Sequence, residues 1–230
     1  MKIDLHVHTK YSIDSLIEPR ELVKKSRALR IIPAVADHNS IEAHKSMRAL
    51  RADFIPAEEI YTDKGDLIGL YLGEPIAKGT PFLEAIDKIH AQGGLAYLPH
   101  MFDYGRSKAH AGEKEAAKAD IIEVFNARCL KKEYNERAEE FAKKHGLPGA
   151  AGSDSHFLFE FGHTYTEVPF FDIDDPKALM KALITPRFET HSTELKTLYP
   201  KLVGRSAPFY VRGTTTFIAV GRKLRKKLPF

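Results

Sequence analysis

A single cysteine, Cys129, stands among 230 residues, so the chain can form no internal disulfide. Lone thiols are usual where glutathione keeps them reduced. Cys129 falls at what reads as a helix start with no base evidently paired to it, which sets it aside as a nucleophile. No stretch approaches the roughly 18 consecutive apolar residues of a membrane span. The N-terminus runs directly into a charged strand, Lys2 to Asp4, in place of a signal peptide's apolar segment. A cytoplasmic protein without stable membrane insertion is therefore expected. Internal repeats and low-complexity tracts are also lacking. Acidic residues are missing from the last thirty positions, which hold eight Lys and Arg, so the preceding 200 residues carry −4 within a total of +4.

What is present describes one soluble domain: 43% hydrophobic and 29% charged residues, enough to bury a core. Apolar runs of strand length occur at Ile3 to His8, Ile32 to His38, Phe54 to Ile60, Leu67 to Leu72, Leu95 to His100, Ile121 to Asn126 and Pro148 to Asp154. Segments with helical spacing separate them: Pro19 to Leu29, Ile41 to Leu50, Pro81 to Gln92, Leu130 to His145 and Pro176 to Leu183. Alternation of this kind predicts βα units around a mainly parallel sheet. Pro19, Pro81 and Pro176 suit first helical turns, and Thr80 suits an N-cap. Tyr61 to Asp66, with Lys64-Gly65, is too short for a crossover helix and predicts a hairpin.

Nearly every strand run ends on a potential metal ligand: His6 and His8, His38, Glu59, His100, then Asp154 with His156, and Asp66 lies beside the fourth run. Catalytic residues of parallel barrels gather at the C-terminal strand ends, where the loops share one mouth. Residues two apart on a strand share a face, so His6 and His8 can aim at one cation, and Asp154 and His156 repeat the spacing. A lone His-x-His is weak evidence, but its recurrence with the other terminal ligands is not.

These stretches resemble the polymerase and histidinol phosphatase (PHP) superfamily. The resemblance lies in Asp4-Leu5-His6-Val7-His8-Thr9 with Ser12 and Asp14, Ala36-Asp37-His38, Ala57-Glu58-Glu59-Ile60, Pro99-His100, Glu123-Val124-Phe125-Asn126 and Gly152-Ser153-Asp154-Ser155-His156, and continues through Gly162 to Glu167. It implies an α/β fold, a distorted (β/α)7 TIM-like barrel over 1–200 with core motifs in 4–167, and the composition adds a basic C-terminal extension over 201–230. It also implies two or three divalent ions, manganese, zinc or iron. His6, His8, Glu59 and Asp154 would share the first ion; Glu59 would bridge to a second at His100; Asp14, His38 and His156 would hold a third. Members often carry histidine where this chain has Asp66, so Asp66 is either an oxygen ligand of the second ion or a hairpin turn residue.

The chemistry implied is hydrolysis of a phosphate ester by a hydroxide that the metal ions activate. Arg106, Arg128 and Lys10 are the candidates for meeting the substrate's charge. His163 can reach the mouth as a phosphate contact or general acid. Asp37, out of phase with His38, suits support of the ligands, and Glu58 is likewise out of phase with Glu59. His90 reads as a core or capping residue, and His44, His110, His145 and His191 as surface histidines. The basic tail, with Phe209, Tyr210 and Phe217 interleaved, tilts the substrate toward a nucleotide or an RNA or DNA end. A histidinol-phosphate-type small ester is the alternative within the same chemistry. An amidohydrolase and a noncatalytic metal- or nucleic-acid-binding module are the readings from other classes.

Overall fold

The computed structural model describes residues 1–106 and 110–193. The basic extension expected over 201–230, with its aromatic residues, lies outside the described residues. In chain order the elements are β1 (Lys2–Val7), α1 (Pro19–Leu29), β2 (Ile31–His38), α2 (Glu42–Ala49), β3 (Ile55–Thr62), β4 (Gly65–Leu70), α3 (Phe82–Ala91), β5 (Leu95–Leu98), α4 (Glu113–Ala116), β6 (Ile121–Asn126), α5 (Lys132–His145), β7 (Gly149–Gly152), β8 (Tyr165–Glu167), α6 (Pro176–Ala182) and β9 (Arg187–Glu189).

Local sequence accounts for the helix ends. Pro19 opens α1, Glu21 and Arg27 complement its dipole, and Leu22 and Val23 supply its buried face. Gly146 ends α5 in the left-handed conformation, at φ 64°. Thr80 does not cap α3: its hydroxyl donates to the Ala77 carbonyl, and Asp63 accepts from the Phe82 N–H at 2.8 Å instead. A carboxylate reaching across from the β3–β4 turn does what the adjacent hydroxyl was expected to do.

The sheet runs in the order β7-β6-β5-β4-β3-β2-β1-β8-β9. β1, β2 and β3 pair in parallel, as do β5, β6 and β7, whereas β4 is antiparallel to both neighbours. The expected hairpin is thus present, and its inversion of β4 has a consequence. The start of β4, not its end, lies at the mouth, where Asp66 pairs across from Tyr61. The sheet curls until the chain after β7 meets β1: Asp154 donates its N–H to the His6 carbonyl at 2.8 Å, and His8 donates to the Ser155 carbonyl at 3.0 Å. The result is a nearly closed, distorted seven-stranded barrel.

All seven strands contribute to one apolar layer: Ile3 and Leu5, Ala34 and Ala36, Ile55 and Ala57, Ile68 and Leu70, Tyr97, Ile121, and Ala150. Val168, Phe171, Leu179 and Leu183 join that layer from β8 onward. A second cluster packs α3 and α5 against β3 to β6, and a third packs α1 and α2 against β1 and β2. Two expectations about histidines are corrected. His44 is buried at 2% exposure, its Nε2 2.9 Å from the Ala57 carbonyl. His90 is exposed and paired with Asp120 at 2.7 Å, because the buried face of α3 is Phe82, Ala85, Ile86 and Ile89.

Candidate metal centre

Parallel register brings the ligand candidates together before any side chain is considered. His38 and Glu59 are direct cross-strand partners on β2 and β3, and the chain closure sets Asp154 beside His6. A register shift between Asp4 and Val7 accompanies the turn of His6 and His8 into the cluster. His100 and Asp154, immediately past β5 and β7, have φ of 29° and 52°. Left-handed backbone in non-glycine residues costs on the order of 1–3 kcal/mol each and gathers at functional sites.

Four donor atoms converge at the centre. His6 Nε2 and His8 Nε2 are 3.0 Å apart. Glu59 Oε2 lies 3.5 and 3.3 Å from them, and Asp154 Oδ1 lies 3.6 and 3.3 Å from them. These separations match the edges of a tetrahedron about a cation with ligand distances of roughly 2.0–2.2 Å.

The surrounding hydrogen bonds decide which ring nitrogens carry protons. Ser12 Oγ donates to Asp37 at 2.8 Å, so at 3.0 Å it can only accept from His8 Nδ1. Glu123 Oε1 accepts from His6 Nδ1 at 2.9 Å. Both Nε2 atoms therefore present lone pairs to each other at hydrogen-bond distance, which requires a cation between them, either a proton or a metal ion. Asp37 supports the ligands as its position suggested, also accepting from the Thr9 N–H and hydroxyl at 2.6 and 2.7 Å.

Electrostatics agree with a site that gathers positive charge. Burial and the neighbouring His156 and His38 push His8 down to about 3, so it is a neutral lone-pair donor. Burial opposes ionisation of His6, but the carboxylates of Asp154, Glu123 and Glu59 outweigh it and hold His6 well above its ordinary value. Burial likewise pushes the Asp154 carboxyl up, and Arg106 and His6 outweigh it, holding Asp154 ionised. Glu59 Oε2 is buried and lies 2.8 Å from His38 Nδ1, within reach of the same cluster. Asp14 Oδ1 is buried with no hydrogen-bond partner among the described residues.

Two further groups flank this centre. Glu59 Oε1 is 3.1 Å from His100 Nε2, and Asp66 joins them with its ligand atom within 4.8 Å of both. On the other side Asp14 Oδ2 lies 3.3 Å from His156 Nε2 and 3.6 Å from His38 Nε2. His156 Nδ1 sits 2.8 Å from the Asp154 carbonyl, to which it donates, leaving Nε2 free to ligate. The structure thus brings together His6, His8, Asp14, His38, Glu59, Asp66, His100, Asp154 and His156, and the donor set suits divalent metal ions.

The cationic candidates divide. Arg106 spends three N–H groups on Asp103, Asp154 and Asn126, so it orients Asp154, and its other two have no hydrogen-bond acceptor among the described residues. Arg128 is 5% exposed, with Nη1 3.4 Å from the Asp154 carbonyl and Nε 3.8 Å from Glu160. Lys10 is exposed and ion-paired with Glu18 at 2.8 Å. His163 is exposed on the β8 side, its ring 6.4 Å from that of His191. Cys129 is pushed up in pKa chiefly by burial, which fits its inert reading.

Sequence reasoning passed over Glu123. Its Oε1 accepts from His6 and from the Tyr97 hydroxyl, and its Oε2 accepts from the His100 N–H at 2.8 Å and from Asn126 at 2.9 Å. The carboxylate also needs Gly152 opposite, because a Cβ there would meet Glu123 Oε1 at 2.1 Å. The available signal was an acid on the strand run that otherwise ends in Asn126.

A nearly closed barrel whose mouth gathers histidines and carboxylates defines the class of metal-binding barrel proteins. The fold is that of PHP-like proteins. A family model described as PHP-associated matches residues 132–185. An uncharacterized protein of Methanocaldococcus jannaschii, MJ0417, is 40% identical over 187 residues, covering 78% of this chain and 75% of that one. Among solved structures, a two-domain Bacteroides vulgatus protein containing a predicted PHP-like metal-dependent phosphoesterase aligns with TM-score 0.65 and 18% identity. The alignment covers 83% of this chain and 65% of that one. Endonuclease Q of Pyrococcus furiosus aligns with TM-score 0.59 and 15% identity over 81% of this chain and 57% of its own.

Proposed function

We propose that this protein hydrolyses a phosphate ester of a nucleotide or nucleic-acid end, using two or three divalent ions. The observation that carries the reading is the pair of facing Nε2 lone pairs of His6 and His8, 3.0 Å apart between two buried carboxylates. One cation would lie among His6, His8, Glu59 and Asp154, a second among Glu59, Asp66 and His100, and a third among Asp14, His38 and His156. When bound, such ions supply an acidified water and neutralise the phosphoryl oxygens.

The chain's own groups do the rest. Glu123 and Ser12 hold the rings of His6 and His8 with Nε2 inward. Arg106 aims Asp154 and retains two N–H groups for an anionic substrate, with Arg128 reinforcing the same wall and Lys10 at the rim. The fold shared with Endonuclease Q, one structure of which is a complex with a 27-mer duplex bearing an abasic lesion at the active site, supports nucleic-acid phosphoesters as the substrate.

The test is an assay of purified protein with manganese, zinc or iron against p-nitrophenyl phosphate, nucleoside monophosphates and 5′-phosphorylated oligonucleotides. Metal-dependent release of phosphate or chain cleavage, abolished by chelator, is the expected result. Inactivity on all three substrates with every metal would overturn the reading.

A further inference from the structure

We propose that the surface around Tyr104 is a stacking platform for an unpaired nucleic-acid strand, which makes an oligonucleotide, not a small phosphate ester, the preferred substrate. The proposal rests on the phosphoesterase reading for its chemistry but has its own evidence. Tyr104 lies in the loop between His100 at the end of β5 and Arg106, whose guanidinium contacts Asp154. It is therefore tethered on both sides to the metal centre. The residue is nonetheless 50% exposed.

Neighbouring side chains hold that ring in place. His110 and Tyr134 stand nearly perpendicular to it, with centroids 4.7 and 6.3 Å away. Arg137 donates to the Tyr104 hydroxyl at 3.3 Å while its guanidinium lies 4.2 Å over Phe102 and 5.6 Å from Tyr104. Lys131 places its ammonium 5.7 Å from the Tyr134 ring. Tyr134 and Arg137 sit in the first turns of α5, which follows β6, so they belong to the mouth end of the barrel.

An exposed tyrosine backed by the half-buried Phe102 and Tyr134 and flanked by Arg and Lys suits the bases and phosphates of a single strand, because every base has a π-face and every linkage a negative charge. Two of the nearby acids are already paired. Glu136 is taken up by Lys132 at 2.7 Å and Glu139 by Lys143 at 2.6 Å, leaving Glu133 and Glu140 against Lys131 and Arg137. A small ester bound at the metal centre would extend no group to this surface, whereas the strand flanking a scissile phosphate would cross it.

Two readouts separate the proposal from the reading beneath it. In chelator, anisotropy of a labelled single-stranded oligonucleotide reports the platform without any turnover. Tyr104→Ala is expected to weaken binding about tenfold, the size of one lost base stack, with Arg137→Ala also weaker and Tyr104→Phe close to wild type. With manganese, Tyr104→Ala should raise KM for the oligonucleotide by a similar factor and leave kcat/KM for p-nitrophenyl phosphate unchanged. Unchanged oligonucleotide binding in Tyr104→Ala, or equal losses on both substrates, would overturn the platform. Wild-type inactivity on every ester would overturn the phosphoesterase reading alone, with the binding comparison still deciding the platform.

Discussion

The barrel contains two layers made by the same strands under opposite physical rules. One holds Ile3, Leu5, Ala36, Ala57, Leu70 and Ile121, apolar groups fully withdrawn from water. The other holds His6, His8, Glu59, Asp154 and His156, equally withdrawn but rich in lone pairs and negative charge. Burial of the first group stabilises the fold through the hydrophobic effect. Burial of the second costs free energy until a cation occupies it. The protein thus concentrates its stability in one layer and its binding capacity in the other, which is how a rigid scaffold carries an electrostatically demanding site.

Several substitutions would break or sharpen this contrast. The largest effect is expected at the centre: His6→Ala or Asp154→Ala should bring phosphoesterase activity below detection. The same variants should lose the rise in melting temperature that manganese gives the wild type. Activity or metal stabilisation at the wild-type level would place the centre elsewhere. Glu123→Gln keeps the shape but weakens the acceptor behind His6, and a loss of about 10- to 100-fold in metal affinity is expected by calorimetry.

In the apolar layer, Leu70→Ala should destabilise the protein by about 2–5 kcal/mol in urea denaturation. Its metal affinity should hold wherever the variant is folded, and parallel loss of both would show the layers to be coupled. Asp66→Asn should weaken the group at His100 selectively, seen as one fewer tightly bound ion by elemental analysis of dialysed protein. An unchanged ion count would make Asp66 a turn residue only.

The smallest effect concerns His44, a titratable group outside the centre. Burial lowers its pKa, and its Nδ1 is buried with no partner, so a proton added there has nothing to meet. A histidine lowered on folding contributes stability that is present above its unfolded pKa of about 6.5 and is lost as pH falls below it. His44 should therefore subtract stability from the metal-free protein as pH falls from 7.5 to 5.5, and His44→Met should remove that contribution in denaturant titrations at the two pH values. An equal pH dependence in the variant would assign the loss to other groups.

Much of this was legible in the chain itself. Apolar periodicity separated by Pro and polar punctuation located seven strands and five helices, because these depend on spacing of two or 3.6 residues and on local caps. The short strands β8 and β9 and the four-residue α4 carried too little periodicity to register. His90 and His44 exchanged their expected environments because helical phase alone does not say which of two flanking faces the barrel will cover. Thr80 yielded its cap to Asp63 for a similar reason, since a residue 19 positions from the Phe82 N–H competes only once the chain is folded.

The amino-acid sequence by itself determined the donor types, their placement at strand ends and the turn that inverts β4, all consequences of local order. Only the tertiary structure decided that Glu123 locks His6, that Arg106 is drawn onto Asp154, and that Asp66 faces His100. Those are through-space relations, set by the curl of the sheet that brings β7 back to β1. They depend on electrostatics at a few ångströms between residues that the sequence holds far apart.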